Sequence, residues 1–159
     1  MKINQTGKLI TSLLLPLAVG GIAGMFTSEA IPGWYASLNQ PSFNPPNWVF
    51  GPVWTTLYIL MGISLFMIWK LPANKERNQA IGVFMVQLFF NFCWSFFFFH
   101  FKMIGLALID IVALWIMIVI MLTRFYKLRP LAAYINLPYL LWVSFATALN
   151  AAYFILNRS

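Results

Sequence analysis

Acidic side chains are almost missing from this 159-residue chain: Glu29, Glu76 and Asp110 are the only three. Histidine and cysteine occur once each, as His100 and Cys93. These shortages exclude whole classes of chemistry. General acid–base catalysis most often uses a positioned imidazole or carboxylate, and the chain has no Ser/His/acid set, Walker loop or dinucleotide fingerprint. A structural metal site wants several His or Cys close together, and haem an axial one; the lone His100 stands beside Lys102 at a helix end with no second His and no Cys nearby, which supports either poorly. A lone cysteine closes no internal disulfide, and Cys93, deep in an apolar run, reads as a small core residue. If a catalytic group exists here, it is an aromatic ring and not an acid–base pair.

Charge is scarce altogether, at 8% of residues against about 25% in ordinary soluble domains. What fills the chain is apolar: 62% of residues are hydrophobic and the mean hydropathy is +0.81. A membrane helix needs about 20 mostly apolar residues, and five segments qualify, roughly residues 8–28, 48–71, 78–100, 103–125 and 131–157. The runs are continuous and do not alternate with period two, which argues against a β-barrel. The fold class predicted is an all-α membrane protein, one domain over residues 1–159, built as a bundle of five transmembrane helices. The first segment, with Lys2 and Lys8 before it and Ser28-Glu29-Ala30 after it, has the outline of a signal peptide. Its apolar run is about twice a signal core in length, and Gly20 and Gly24 stand at GxxxG spacing. Both points favour a retained first span.

The net charge of +7 does not point to nucleic acid once its distribution is read. With five spans, Lys2, Lys8, Lys70, Lys75, Arg77, Arg124, Lys127 and Arg129 fall on one side, eight of the ten basic residues. Lys102 and Arg158 fall on the other. This asymmetry over short loops is a positive-inside signal. It predicts a multi-pass protein of the cell membrane with its N-terminus in the cytoplasm and its C-terminus outside, the basic side touching anionic lipid.

One connection differs from the rest. Residues 29–47 join the first two spans, and the stretch from Trp34 to Trp54 holds three of the seven tryptophans and no charge. With Pro32 it also holds five of the nine prolines. Tryptophan and tyrosine settle at the membrane–water interface, and repeated proline limits backbone freedom. The loop is predicted to be a shaped lid on the outer side.

Polar residues within the spans are where chemistry is sought, because hydrocarbon penalises them. Gln87, Asn91 and Ser95 share one face of the third span, with Trp94 beside it; Trp54 and Tyr58 stand one turn apart in the second; Trp142, Ala146, Asn150 and Tyr153 form a stripe on the fifth. Two readings compete for the amides: bonds that merely hold the helices together, worth about 0.6 kcal/mol each, or the polar points of a cavity. For Trp54 and Trp142 the choice is between core filler and cavity wall, and an indole two turns into a span favours the wall. Asp110 is the only acid clearly inside a span. A proton relay would need further ionisable groups, so it reads as structural or as a residue orienting a neighbour.

The series WYxxLxxPxxxPPxWVFGPVWxxLYxxMG from Trp34 to Gly62 resembles the tryptophan-rich sensory protein/translocator protein family. The resemblance continues through Gln87–Phe98, Ala107–Asp110 and Pro138–Asn150 and covers nearly the whole chain. It implies five transmembrane helices with the long first loop over a ligand cavity. It implies binding of porphyrins such as protoporphyrin IX and of benzodiazepine-site ligands, with no required cofactor, and cholesterol in animal members. It also implies association of some bacterial members with light-dependent porphyrin breakdown, and a homodimer. Carried over by position, Trp54, Asn91, Trp142 and Ala146 would line the cavity and Tyr35 would close it. Tyr58 and Ser95, on the same faces, complete the predicted ligand set, and Trp54 and Trp142 are the predicted photochemical pair. The loose sterol pattern is met by Leu149, Tyr153 and Arg158, too weakly to support sterol binding. Three functions stay open: a porphyrin sensor or scavenger, a photochemical porphyrin-degrading enzyme, and a transporter. The scarcity of intramembrane charge and the lack of a two-half repeat weigh against a pump-like transporter.

Overall fold

The computed structural model describes residues 4–158. Helix α1 spans Gln5–Ala30 and starts at Asn4, whose side-chain Oδ1 accepts the Gly7 N–H at 2.7 Å. That bond satisfies one of the first-turn donors that a helix leaves free. A wider π-helical turn, Ile31–Tyr35, continues the same rod. After the prolines at 45 and 46, a short 3-10 turn, Asn47–Val49, leads into α2, Phe50–Trp69. Helix α3, Lys75–Ser95, is capped by Asn74, which accepts the Arg77 N–H at 2.8 Å, and carries Glu76 in its first turn, where the helix dipole favours an anion. It too ends in a π-helical turn, Phe96–His100, before α4, Ile104–Leu128. Pro130 opens the short α5, Pro130–Tyr134, and α6 follows at Leu137–Leu156. Helices α5 and α6 together make the fifth of five spans long and apolar enough to cross a membrane. No strand occurs among the described residues.

Helix α1 packs along α2, and α3 against α4, with α6 closing on α4. One contact shows what the sequence contributes. Pro16, inside α1, has no N–H to give the Ser12 carbonyl. Gly62 of α2 comes up against that freed carbonyl, so closely that a Cβ there would stand 2.7 Å from it. Close approach at small residues is the usual basis of helix association in lipid, where burial of apolar surface gives no driving force. On the outside, Ile109, Leu141 and Phe89 project away from the bundle, as lipid-facing residues should.

The first helix runs to Tyr35, past the boundary at 28 predicted from composition, so the lid shortens to residues 36–46. Pro32 would clash with the carbonyl four residues back in a regular α-helix. The π-helical turn relieves that clash without ending the helix. Trp34 and Tyr35 are therefore carried on a helical rod and not on the loop. Charge is segregated by end. Away from the lid, Lys8 donates to the Trp69 carbonyl at 3.2 Å, Arg77 to the Leu71 carbonyl at 3.0 Å and Arg124 to Gln79 at 3.0 Å. Lys2, counted with this basic group, lies outside the described residues.

Candidate functional site

The lid end of the bundle holds two cavities that share one aromatic wall. The outer one, about 440 Å³, lies between α1, α2 and the end of α3, and takes in Trp54, Tyr58 and Ser95. The inner one, about 20 Å³, lies between α2, α6 and the two π-helical turns and takes in Tyr35, Trp54, Trp142 and Ala146. Phe50, Trp54, Trp94 and Phe99 border both. The Trp54 ring stacks on Tyr58 at 5.6 Å between centroids and approaches Trp94 and Tyr139 at 6.3 Å. Trp142 packs edge-on against Phe50 at 6.0 Å. The two predicted photochemical indoles thus border the same inner cavity.

The amides of α3 have another occupation. Tyr58 donates its hydroxyl to Asn91 Oδ1 at 2.7 Å, Asn91 donates to the Tyr139 oxygen at 3.1 Å, and Tyr139 donates to Gln87 Oε1 at 2.8 Å. Gln87 and Asn91 are fully buried, and neither borders either cavity. The chain of bonds ties α2, α3 and α6 together behind the aromatic wall. Asn150 does the same nearby, accepting from the Trp94 indole at 3.0 Å and donating to the Ile104 carbonyl at 3.0 Å. Asn91, which the family resemblance places at the cavity, is held here as a helix-to-helix bridge. Asp110 is buried on α4, and its Oδ2 has no hydrogen-bond partner among the described residues.

Two other polar groups are left free at the inner cavity. Trp142 Nε1 and the Tyr153 hydroxyl are buried and make no well-formed hydrogen bond among the described residues, although the Tyr35 hydroxyl lies within reach of that of Tyr153. An unmade bond to a buried donor costs about 1–3 kcal/mol, so such groups mark a place where a ligand atom has something to gain. The sequence reading puts Trp142 in the ligand set and leaves Tyr153, on the same stripe of the fifth span, out of it. That pattern does not form a lipid-facing surface: Leu149 and Tyr153 are buried, and Arg158 lies over the Phe154 ring at 5.2 Å. Phe50 and Phe99 were also missed, since one phenylalanine in an apolar run looks like another.

The lid is fastened at two points. The Tyr35 hydroxyl donates to Asn44 Oδ1 at 2.9 Å, and the Tyr35 ring rests 5.2 Å from that of Tyr153. Farther along, the Asn39 N–H donates to Asn157 Oδ1 at 2.9 Å, while Asn157 Nδ2 donates back to the Asn39 carbonyl at 3.1 Å. A single side chain at the end of α6 thus clips the lid through a pair of backbone bonds.

These features define a class: a five-span helical membrane protein whose aromatic-walled cavities lie at one end, the end that carries a clipped lid. Residues 12–156 match the TspO/MBR family, and the chain belongs to that family. It is 42% identical over 151 residues to the tryptophan-rich protein TspO of Archaeoglobus fulgidus, covering 94% of this chain and 97% of that protein. It is 38% identical over 119 residues to the translocator protein of Homo sapiens, covering 74% of this chain and 70% of that one. Against the tryptophan-rich sensory protein of Cereibacter sphaeroides the identity is 36% over 117 residues, covering 74% and 72%.

Proposed function

We propose that this protein is a membrane receptor or sensor that takes a porphyrin such as protoporphyrin IX, or a benzodiazepine-site ligand, into the inner cavity. The observation that carries this reading is the pair of buried donors without a well-formed bond, Trp142 Nε1 and Tyr153 Oη, at a cavity otherwise walled by aromatic rings. Flat apolar walls with a few convergent polar groups suit a flat ligand that brings acceptor atoms. At about 20 Å³ the inner cavity holds no more than a water or so. Binding therefore requires the aromatic walls to part, with Tyr35 leaving Asn44. In the cell membrane the lid would face outward, away from the basic end.

Titration of the purified protein with protoporphyrin IX, followed by tryptophan quenching, tests the site. Tyr153→Phe keeps the ring and removes the free donor, so it should weaken binding roughly 5- to 30-fold, one hydrogen bond's worth, and Trp142→Phe, which also trims the indole to a phenyl ring, should weaken it at least as much. Unchanged affinity in both would sink the assignment. The photochemical reading is tested separately, by illuminating the complex and following absorbance and product mass. Two indoles that exchange an electron with the excited ring should make porphyrin loss slow sharply in Trp54→Phe plus Trp142→Phe.

A further inference from the structure

The cations at the end opposite the lid are not all used alike. Arg77 gives Nη1 to the Leu71 carbonyl at 3.0 Å, and Nε and Nη2 to Asn78 Oδ1 at 3.1 and 2.8 Å. Lys8 donates to the Trp69 carbonyl, and Lys70 lies over the Phe66 ring at 5.3 Å. These three fasten the protein to itself. Arg124 does so with only part of its side chain. Its guanidinium makes one hydrogen bond among the described residues, from Nη1 to Gln79 Oε1 at 3.0 Å, across the seam where α3 packs on α4. Most of its planar fork of donors stays open, and Gln79 Nε2 is open beside it.

Two lysines extend this corner. Lys75 stands one turn before Gln79 on α3, and Lys127 one turn after Arg124 on α4, both exposed. The two helices run in opposite directions, so both lysines lie on the outer side of the Gln79–Arg124 bond. The one nearby acid, Glu76, follows Lys75 about 100° round the helix, and α4 has no acid beyond Asp110. Depth then selects the partner. From Ile104 to Arg124, α4 rises about 30 Å, the thickness of the hydrocarbon core. With Ile104 at the lid-side boundary, Arg124 stands where hydrocarbon gives way to phosphate, and the lysines stand in the headgroup layer. One turn toward the lid the seam carries Val83 and Ile120, an apolar surface of use to an acyl chain and of none to a soluble anion. A choline head would bring another positive charge against three already there; an anionic head would not.

We propose that the α3–α4 seam at the end opposite the lid is a binding site for an anionic glycerophospholipid of the phosphatidylglycerol class. Arg124 and the Gln79 amide hold the phosphate, in the manner of basic pockets between membrane helices. Lys75 and Lys127 set the preference for a net negative head, and one acyl chain runs along Val83 and Ile120. The site lies a membrane thickness away from the lid and stands whether or not either cavity takes a porphyrin.

Native mass spectrometry of the full chain, titrated in detergent with phosphatidylglycerol or phosphatidylcholine, counts bound lipid and tests the site. The first phosphatidylglycerol should bind clearly tighter than phosphatidylcholine. Lys75→Gln and Lys127→Gln should each weaken it roughly five-fold, the worth of one cation near a membrane surface. Arg124→Gln should cost more, and Arg124→Lys, which keeps the charge but not the fork, should recover only part of the loss. Lys70→Gln removes a cation from the same end but outside the seam, and should change binding by less than about two-fold. Thermal unfolding checks that each variant folds; the exposed lysines carry the test if Arg124→Gln does not. A phosphatidylglycerol with a diazirine high in one acyl chain, in phosphatidylcholine nanodiscs, should label residues 79–86 and 117–124. The proposal fails if Lys70→Gln costs as much as the seam variants, as diffuse attraction would have it. It also fails if phosphatidylcholine binds equally well or if label spreads evenly over the spans. Competition by glycerol 3-phosphate at equal concentration would mark a soluble-anion site and overturn it too.

Discussion

Tyr139 and Tyr153 lie about four turns apart on α6 and show how differently two buried hydroxyls can be used. The Tyr139 oxygen accepts from Asn91 and donates to Gln87, so its removal strands a donor on one helix face and an acceptor on the same face one turn away. The Tyr153 hydroxyl makes no well-formed bond to lose among the described residues, with the Tyr35 hydroxyl within reach of it. Tyr139→Phe is therefore expected to destabilise the protein by about 1–3 kcal/mol, two intramembrane bonds at their measured range. Tyr153→Phe is expected to leave stability level or slightly raised. Thermal unfolding in one detergent, both variants side by side, checks the contrast. Equal losses would mean that Tyr153 has a structural partner after all and is no free binding group.

At the scale of elements, the second fastening of the lid is a single clip. Asn157 exchanges two bonds with the backbone of Asn39, and Asn39 Nδ2 adds a longer one, 3.4 Å, to the Leu156 carbonyl. Asn157→Ala removes the exchanged pair and leaves the aromatic wall untouched. Amide hydrogen exchange across residues 36–46 should then rise, and both association and dissociation of protoporphyrin IX should quicken, while the affinity moves little. Rates that stay at their wild-type values would show that the lid opens elsewhere. This element was half legible. Tryptophan, proline and the lack of charge mark a lid between Trp34 and Trp54 from composition alone. Its start was hidden, because Pro32 reads as a breaker and here merely widens the helix into a π turn that carries Tyr35. The spans themselves were legible because about 20 apolar residues in a row leave few other outcomes. The division of the polar faces was not. Spacing places Asn91 and Trp54 on inward faces, but only the packing shows that one bridges helices and the other borders two cavities.

Over the whole molecule, the dominant pattern is the separation of charge from site. Lys8, Arg77 and Arg124 are engaged at the end opposite the lid, where they fasten helix ends and partner side chains. At the lid end the cations are Lys102 and Arg158, and Arg158 is held over Phe154. Neither borders a cavity. A porphyrin seated in the inner cavity would then have no fixed cation for its carboxylates, which stay in water at the mouth while the macrocycle meets the rings. Binding of that kind rests on apolar contact and on the two free donors, and ions screen neither strongly. Between about 0.1 M and 1 M salt the screening length contracts from about 10 to 3 Å, yet affinity for protoporphyrin IX should fall by less than about three-fold. The dimethyl ester, which has no charge, should bind about as well as the free acid. A drop of ten-fold or more, or a clear preference for the free acid, would place a cation against the carboxylates and move the ligand toward Lys102.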